Sequence, residues 1–172
     1  MKIVMFSDSH GFVEIMCGVV EKEKPDMIIH LGDSIRDAEQ LNVKYPDIEM
    51  ISVLGNVDSE KEDEEWIKYA EICGKRFMLT HGHTFLNNIS YREGQGNMFR
   101  YPPDDVDIIL HGHTHEPYVH RSINGVKRIS RWMMNPGSMK AETQYDDIYS
   151  PTYGVLNINE SGDLEWQIIE VK

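Results

Sequence analysis

Four imidazoles stand in two His-x-His pairs, His81-Gly82-His83 and His113-Thr114-His115, and a carboxylate–imidazole pair, Asp8-Ser9-His10, precedes them. Neutral imidazole is a common ligand for transition metals, and carboxylate oxygens add hard, charged donors. Asp33, directly after Gly32, brings two oxygens on one group and so can bridge two cations, which a neutral imidazole cannot. Asn56, after Gly55, offers a neutral amide oxygen. Each residue has an ordinary alternative. Asp8 or Asp33 could cap a helix, Asn56 could simply turn the chain, and a single His is usually structural. Two His-x-His pairs together with both Asp positions and Asn56 outweigh those alternatives and predict a metal centre. Ligand type alone leaves Mn2+, Fe, Zn2+ and Ni2+ open. No Ser or Cys stands where an activated nucleophile is marked, so no covalent intermediate is expected.

Other polar residues read differently. His83 is the candidate for touching substrate or relaying a proton, and with Asp33 and Asn56 it makes up the expected catalytic group. His30 lies inside an apolar run and reads as a satisfied core histidine. His111 reads as a strand-end or supporting residue and His120 as a plain strand residue. Asp58 is expected to face solvent or support the site rather than ligate, and Arg36 reads as a surface helix residue rather than a phosphate contact.

The elements that must position these groups follow one pattern: a short apolar run ends and a polar cluster begins. Lys2–Phe6 leads to Ser7-Asp8-Ser9-His10, Met27–Leu31 to Gly32-Asp33, and Ile48–Leu54 to Gly55-Asn56-Val57-Asp58. Arg76–Thr80 leads to His81-Gly82-His83, Val106–Leu110 to His111-Gly112-His113, and Arg131–Met134 to Asn135-Pro136-Gly137-Ser138. Such runs, rich in Ile, Val, Leu and Met and closed by Gly or Asn, predict buried strands. Helix-compatible stretches at Phe12–Glu23 and Ser34–Val43 separate the early ones, which implies βαβ units and a partly parallel sheet. Later runs at Tyr118–His120, Val126–Trp132, Tyr153–Ile158 and Leu164–Val171 are joined by turns such as Asn124-Gly125 and Ser161-Gly162, which favours antiparallel pairing. The segment from Asn87 to Asp105 is irregular, with a helical first part ended by Pro102-Pro103. Two packed sheets with helices outside are expected. Ligands of open α/β sheets bind at the carboxyl ends of strands, so the six clusters should meet at one rim.

Composition sets the outer bounds. A chain of 172 residues, 40% hydrophobic and 27% charged, can bury one proper core, and one domain over residues 1–172 is expected. Apolar runs are too short to span a membrane, and Lys2–Phe6 begins a strand with no signal-peptide pattern, so a cytoplasmic location is the default. Cys17 and Cys73 both read as reduced core thiols. Seventeen Lys and Arg against 29 Asp and Glu leave a net charge of −12, part of it in the surface-like stretch Asp58 to Glu65. That balance argues against an extended nucleic acid, which needs a basic track, but not against a small phosphoester drawn to a locally positive metal site. Exposed edge strands and exposed Met or aromatic residues would support a homo-oligomer.

Asp8-Ser9-His10, Gly32-Asp33, Gly55-Asn56-Val57-Asp58, His81-Gly82-His83 and Gly112-His113-Thr114-His115, in that order, resemble the calcineurin-like metallophosphoesterase superfamily. The small size and the Asn135-Pro136-Gly137-Ser138 close resemble its compact prokaryotic branch, the YfcE/MJ0936-type phosphodiesterases. The resemblance implies a four-layer αββα sandwich of two mixed β-sheets flanked by helices, carrying two divalent ions, with Mn2+ the expected metal. It implies Asp8, His10 and His115 on the first metal, Asn56, His81 and His113 on the second, and Asp33 bridging. The reaction it implies is hydrolysis of a phosphodiester by a metal-bridging hydroxide attacking in line. One departure is informative. Many relatives that cleave unactivated monoesters carry a proton-donating His directly after the Asn, where this chain has Val57, which cannot give a proton. The rival is a metal-binding scaffold of the same fold with little or no catalysis, as in Vps29-like relatives. There an Asn replaces the bridging Asp and an Asp the amide ligand, whereas Asp33 and Asn56 here match the enzymatic pattern.

Overall fold

A computed structural model describes residues 1–59, 65–83, 103–124, 129–140, 142–144 and 147–172. The early strands and helices run β1 (Lys2–Phe6), α1 (Val13–Glu23), β2 (Met27–His30), α2 (Ile35–Lys44) and β3 (Glu49–Ser52). Then come β4 (Ile67–Ile72), β5 (Lys75–Thr80), β6 (Ile108–Leu110), β7 (Tyr118–Asn124) and β8 (Ile129–Asn135). A short hairpin of β9 (Glu142–Gln144) and β10 (Asp147–Tyr149) precedes β11 (Thr152–Ile158) and β12 (Leu164–Glu170).

Ten of these strands form two mixed sheets. The first has the order β12-β11-β1-β2-β3, the second β4-β5-β6-β8-β7. The centre of each is parallel: β1 with β2 and β2 with β3, then β5 with β6 and β6 with β8. Antiparallel strands flank these, with β1–β11 and β11–β12 in one sheet and β4–β5 and β7–β8 in the other. The period-2 alternation of strand side chains then divides the core. Ile3, Met5, Met27 and Ile29 face Phe77, Leu79, Ile108, Leu110 and Met134 between the sheets. Val4, Phe6 and Ile28 point the other way, onto Met16, Cys17, Val19 and Val20 of α1 and Leu41 of α2. This is the expected α/β arrangement of two mixed sheets with helices outside, and among the described residues both helices cover the outer face of the first sheet. On the outer face of the second sheet Met78, Val106 and Ile109 are buried as well. The helical stretch expected after Asn87 and the turn at Gly125 lie outside the described residues, as does most of the stretch from Asp58 to Glu65.

Some expectations need adjusting. Strand β4 was not among the anticipated apolar runs, because Ile67-Lys68-Tyr69-Ala70-Glu71-Ile72 alternates apolar and polar residues at a sheet edge. The β9–β10 hairpin was not anticipated either. Cys73 is exposed rather than in the core; it sits with φ +50° in the tight β4–β5 turn, while Cys17 is buried as expected. Both thiols are free. Among the described residues no helix is long and apolar enough to cross a membrane.

Candidate metal centre

Six parallel-strand ends launch the six polar clusters, and backbone bonds draw the loops together. Asp8 N–H donates to Gly32 C=O at 3.0 Å and Ser9 N–H to Asp33 C=O at 3.1 Å, joining the loops after β1 and β2. In the second sheet Gly112 N–H donates to His81 C=O at 2.9 Å, and His111 N–H to Met134 C=O at 3.0 Å. The two sheets then meet through side chains. His113 N–H donates to Asp8 Oδ2 at 3.1 Å, and His115 Nε2 lies 2.9 Å from Asp8 Oδ1.

The donor atoms of Asp8, His10 and His115 lie within 4.8 Å of one another, and so do those of Asp8, Asp33 and His81. Asn56 Oδ1 is 3.0 Å from His81 Nε2, and the His113 ring centroid is 5.1 Å from that of His81. All seven residues expected to ligate therefore lie around one rim. Asp8 is common to both donor groups, while Asp33, 5% exposed in its side chain, faces the Asn56 side. Five of the seven, namely Asp8, His10, Asp33, His113 and His115, have φ between +44° and +71°. That conformation costs about 1–2 kcal/mol in a non-glycine residue and collects at functional sites.

His81 tests whether a cation fits. Its Nδ1 must donate to Leu31 C=O at 2.8 Å, because a carbonyl can only accept. In the neutral ring Nε2 then carries a lone pair, and it faces three oxygens: Asn56 Oδ1, Asp33 Oδ1 at 3.3 Å and Asp8 Oδ1 at 3.8 Å. Converging lone pairs need a positive charge between them. Without a cation a proton does this: burial pulls the His81 pKa down, but the bond to Asp33 and the charges of Asp8 and Asp33 outweigh it and leave it raised. A divalent cation meets the same need with twice the charge, and the Nδ1–H···O=C bond is the usual device for fixing a ligating tautomer. Burial opposes ionisation of Asp33, yet the hydrogen bond and charge of His81, the Val57 N–H at 3.1 Å and the charge of His10 hold its pKa below the ordinary value. Burial, then His81, depress the pKa values of His83 and His113, keeping both rings neutral. The donor set fits divalent metal.

His83 stands beside rather than within this cluster. Its ring is 5.6 Å from that of His81 and 6.0 Å from that of His113, packed edge-on against Trp66 at 4.9 Å. Among the described residues its Nδ1 is buried without a hydrogen-bond partner. Val57 is 61% exposed next to Asn56. His30 is a satisfied core histidine, as expected: Nδ1 accepts from Gly32 N–H at 3.3 Å and Nε2 donates to Ser9 Oγ at 3.0 Å. His111 is buried, and Tyr118 OH bonds its Nε2.

The supporting residues were the least visible in the sequence. Asn135 Nδ2 donates to Gly112 C=O at 3.1 Å and Thr114 Oγ1 at 2.9 Å, and Ser138 Oγ donates to Asp8 C=O at 3.0 Å. The Asn-Pro-Gly-Ser cluster thus braces the loops that carry Asp8, His113 and His115. Asp37 and Asp58, whose contacts are described below, do the same from α2 and from the loop after β3.

Parallel strand ends from two packed sheets, meeting in carboxylates, an amide and imidazoles, define a metal-binding α/β protein. The chain belongs to the calcineurin-like phosphoesterase superfamily, whose domain matches residues 1–161. It is 26% identical over 164 residues to a probable metallophosphoesterase of Mycoplasma pneumoniae, covering 92% of this chain and 91% of that one. Its fold is similar to that of Yfce, a phosphoesterase from E. coli, with a TM-score of 0.65, 21% identity and full coverage of both chains. It is also similar to wild-type Vps29 complexed with Zn2+ from Entamoeba histolytica, with a TM-score of 0.66, 18% identity and 99% of each chain covered.

Proposed function

We propose that this protein is a dinuclear metal-dependent phosphodiesterase of the cytoplasm, with Mn2+ as its metal. One observation carries the reading: two groups of donor atoms, those of Asp8, His10 and His115 and those of Asp8, Asp33 and His81, share Asp8, and His81 Nε2 faces the oxygens of Asn56 and Asp33, where a cation between them is favoured. Asp8, His10 and His115 would hold the first ion, Asn56, His81 and His113 the second, and Asp33 both. Two divalent ions held there would supply an activated water for in-line attack on phosphorus and would neutralise charge on the leaving oxygen.

The chain's own residues set the specificity. Asp33 and Asn56 orient the phosphoryl group between the two halves of the site. His83, neutral and with an unpartnered Nδ1, touches the substrate or relays a proton. Val57 occupies the place beside Asn56 and gives no proton, so leaving groups stable as anions are favoured. The expected result is Mn2+-stimulated hydrolysis of bis(p-nitrophenyl) phosphate, faster than of p-nitrophenyl phosphate and absent from metal-stripped protein. A faster monoester rate would refute the diesterase assignment.

A second reading has a specific basis, the likeness to Vps29 with bound Zn2+. In it the chain is a metal-binding scaffold with little or no catalysis. Metal-loaded protein inactive on a broad phosphoester panel, together with a stable protein partner in pull-downs, would favour that reading over catalysis.

A further inference from the structure

Two carboxylates outside the ligand set hold the ligand loops by their backbones. Asp58 accepts four N–H groups. Its Oδ2 takes Asp33 N–H at 3.0 Å and Gly55 N–H at 2.8 Å, so one oxygen spans the loops that carry Asp33 and Asn56. Its Oδ1 takes Ser34 N–H at 3.1 Å and Ile35 N–H at 2.8 Å. That second pair fills the N-terminus of α2, where Ser34 makes no side-chain cap. Asp37, 3% exposed in the first turn of α2, reaches the other way. Its Oδ2 accepts from Ser9 Oγ at 2.7 Å and Gly11 N–H at 2.6 Å, the residues on either side of His10. Helix α2 is therefore a bracket between the two halves of the centre.

We propose that Asp37 and Asp58 divide the positioning of the two metal sites. Asp37 sets the Asp8–His10 loop of the first, and Asp58 sets the spacing of Asp33 and Asn56 at the second. The physical reason lies in the backbone. His10 and Asp33 hold φ of +44° and +56°, a conformation that relaxes unless neighbouring bonds fix it. Replacing Asp58 by Asn keeps the volume and turns one of its two accepting oxygens into an NH2 group that opposes N–H donors. At Asp37 one oxygen takes both bonds, so an amide keeps that acceptor but loses the charge that strengthens the bonds to Ser9 and Gly11. Either loop is then held less tightly with no cavity made.

The proposal rests on the two-metal reading, and its test separates the two. Mn2+ is titrated by calorimetry into the wild type, and electron paramagnetic resonance reports whether the bound ions are exchange-coupled. His113→Ala leaves the first site alone to be measured, and His115→Ala the second. In the His115→Ala background, Asp58→Asn is expected to weaken Mn2+ binding by about 10- to 100-fold, the usual scale for a group that supports a ligand. In the His113→Ala background the same change weakens binding by a clearly smaller factor, since it reaches the first site only through the shared Asp33, and Asp37→Asn shows the reverse preference. With the ligands intact, either Asn variant replaces the coupled spectrum by that of an isolated ion. Leu41→Ala, which removes buried volume from α2, lowers stability without altering either affinity. If an Asn variant does not fold, the corresponding Glu variant, which keeps both oxygens but shifts them by a methylene, is expected to show the same site-selective loss.

Equal weakening of both sites, no weakening at either, or a Leu41→Ala effect as large as that of the Asn variants overturns the proposal. A wild type that binds a single uncoupled Mn2+ sinks the two-metal reading and this inference together. Two coupled ions in the wild type without site-selective loss sink this inference alone.

Discussion

His30 is fully buried, and loss of hydration pushes its pKa down to about 4 against the raising charges of Asp37, Asp58 and Asp8. The neutral ring links Gly32 to Ser9, and Ser9 in turn donates to Asp37. An unfolded chain takes up a proton here near pH 6.5, while the folded chain resists until about pH 4. The stability is therefore complete above pH 6.5 and is lost as the pH falls, by about 2 kcal/mol at pH 5. His30→Gln should be less stable than the wild type at pH 7 but lose less on going to pH 5 in urea unfolding; equal losses would show that His30 does not carry the acid sensitivity. Gly112 poses a steric question instead. A Cβ there would overlap the Ser7 hydroxyl and stand 2.7 Å from Asp8 Oδ2. Gly112→Ala should cost about 1–3 kcal/mol and displace Asp8, weakening Mn2+ binding in a calorimetric titration. Unchanged affinity would mean that Asp8 does not ligate from this position. The types and order of the donor residues that gather at the rim were legible in the sequence because donor chemistry belongs to each residue. The closeness of Ser7 to Gly112 was not, since Ser7 arrives from the other sheet.

Strands that end in polar clusters were legible at the scale of elements because burial in the sheet centres demands apolar runs, although β3, at a sheet edge, is only half-buried. Edge strand β4 escaped the same criterion, since half of Ile67–Ile72 faces outward and only its alternation marks it. Antiparallel pairing of the later strands was legible for β7–β8 and β11–β12 from their turns. That β8 also lies parallel to β6 was not, because no local signal specifies a non-sequential neighbour. Asn135 shows the consequence. In sequence it closes a strand, whereas in the fold it is fully buried and ties β8 to the loop after β6 through Gly112 and Thr114. Its Oδ1 also accepts Gly137 N–H at 2.8 Å. Asn135→Ala should leave these groups unsatisfied and lower the unfolding free energy by about 1–3 kcal/mol. Hydrogen exchange at Gly137 should accelerate by a larger factor than at the core amides of β1. Uniform acceleration would show a general loss of stability rather than release of this brace.

The whole molecule joins a net charge of −12 to a centre in which the buried Asp8 and Asp33 share the His81 imidazole. Any cation that binds only the folded arrangement stabilises it by mass action, and Mn2+ at a hundred times its dissociation constant adds about 2.7 kcal/mol. For a chain of 172 residues this corresponds to a rise of about 5–10 °C in the thermal midpoint. Diffuse screening of an acidic surface would also raise the midpoint, so magnitude alone does not separate the two causes. Identity of the ion does. Screening depends on charge and concentration, so Mg2+ and Mn2+ would act alike, whereas a site rich in imidazole prefers Mn2+ or Zn2+ over Mg2+. Dialysis against a chelator followed by matched additions of Mg2+ and Mn2+ should therefore give a larger shift with Mn2+. The excess should shrink in Asp33→Asn, which barely changes the surface charge but alters a donor of the proposed site. Equal shifts from both ions in the wild type and the variant would assign the stabilisation to the acidic surface and leave the strand-end cluster without a metal.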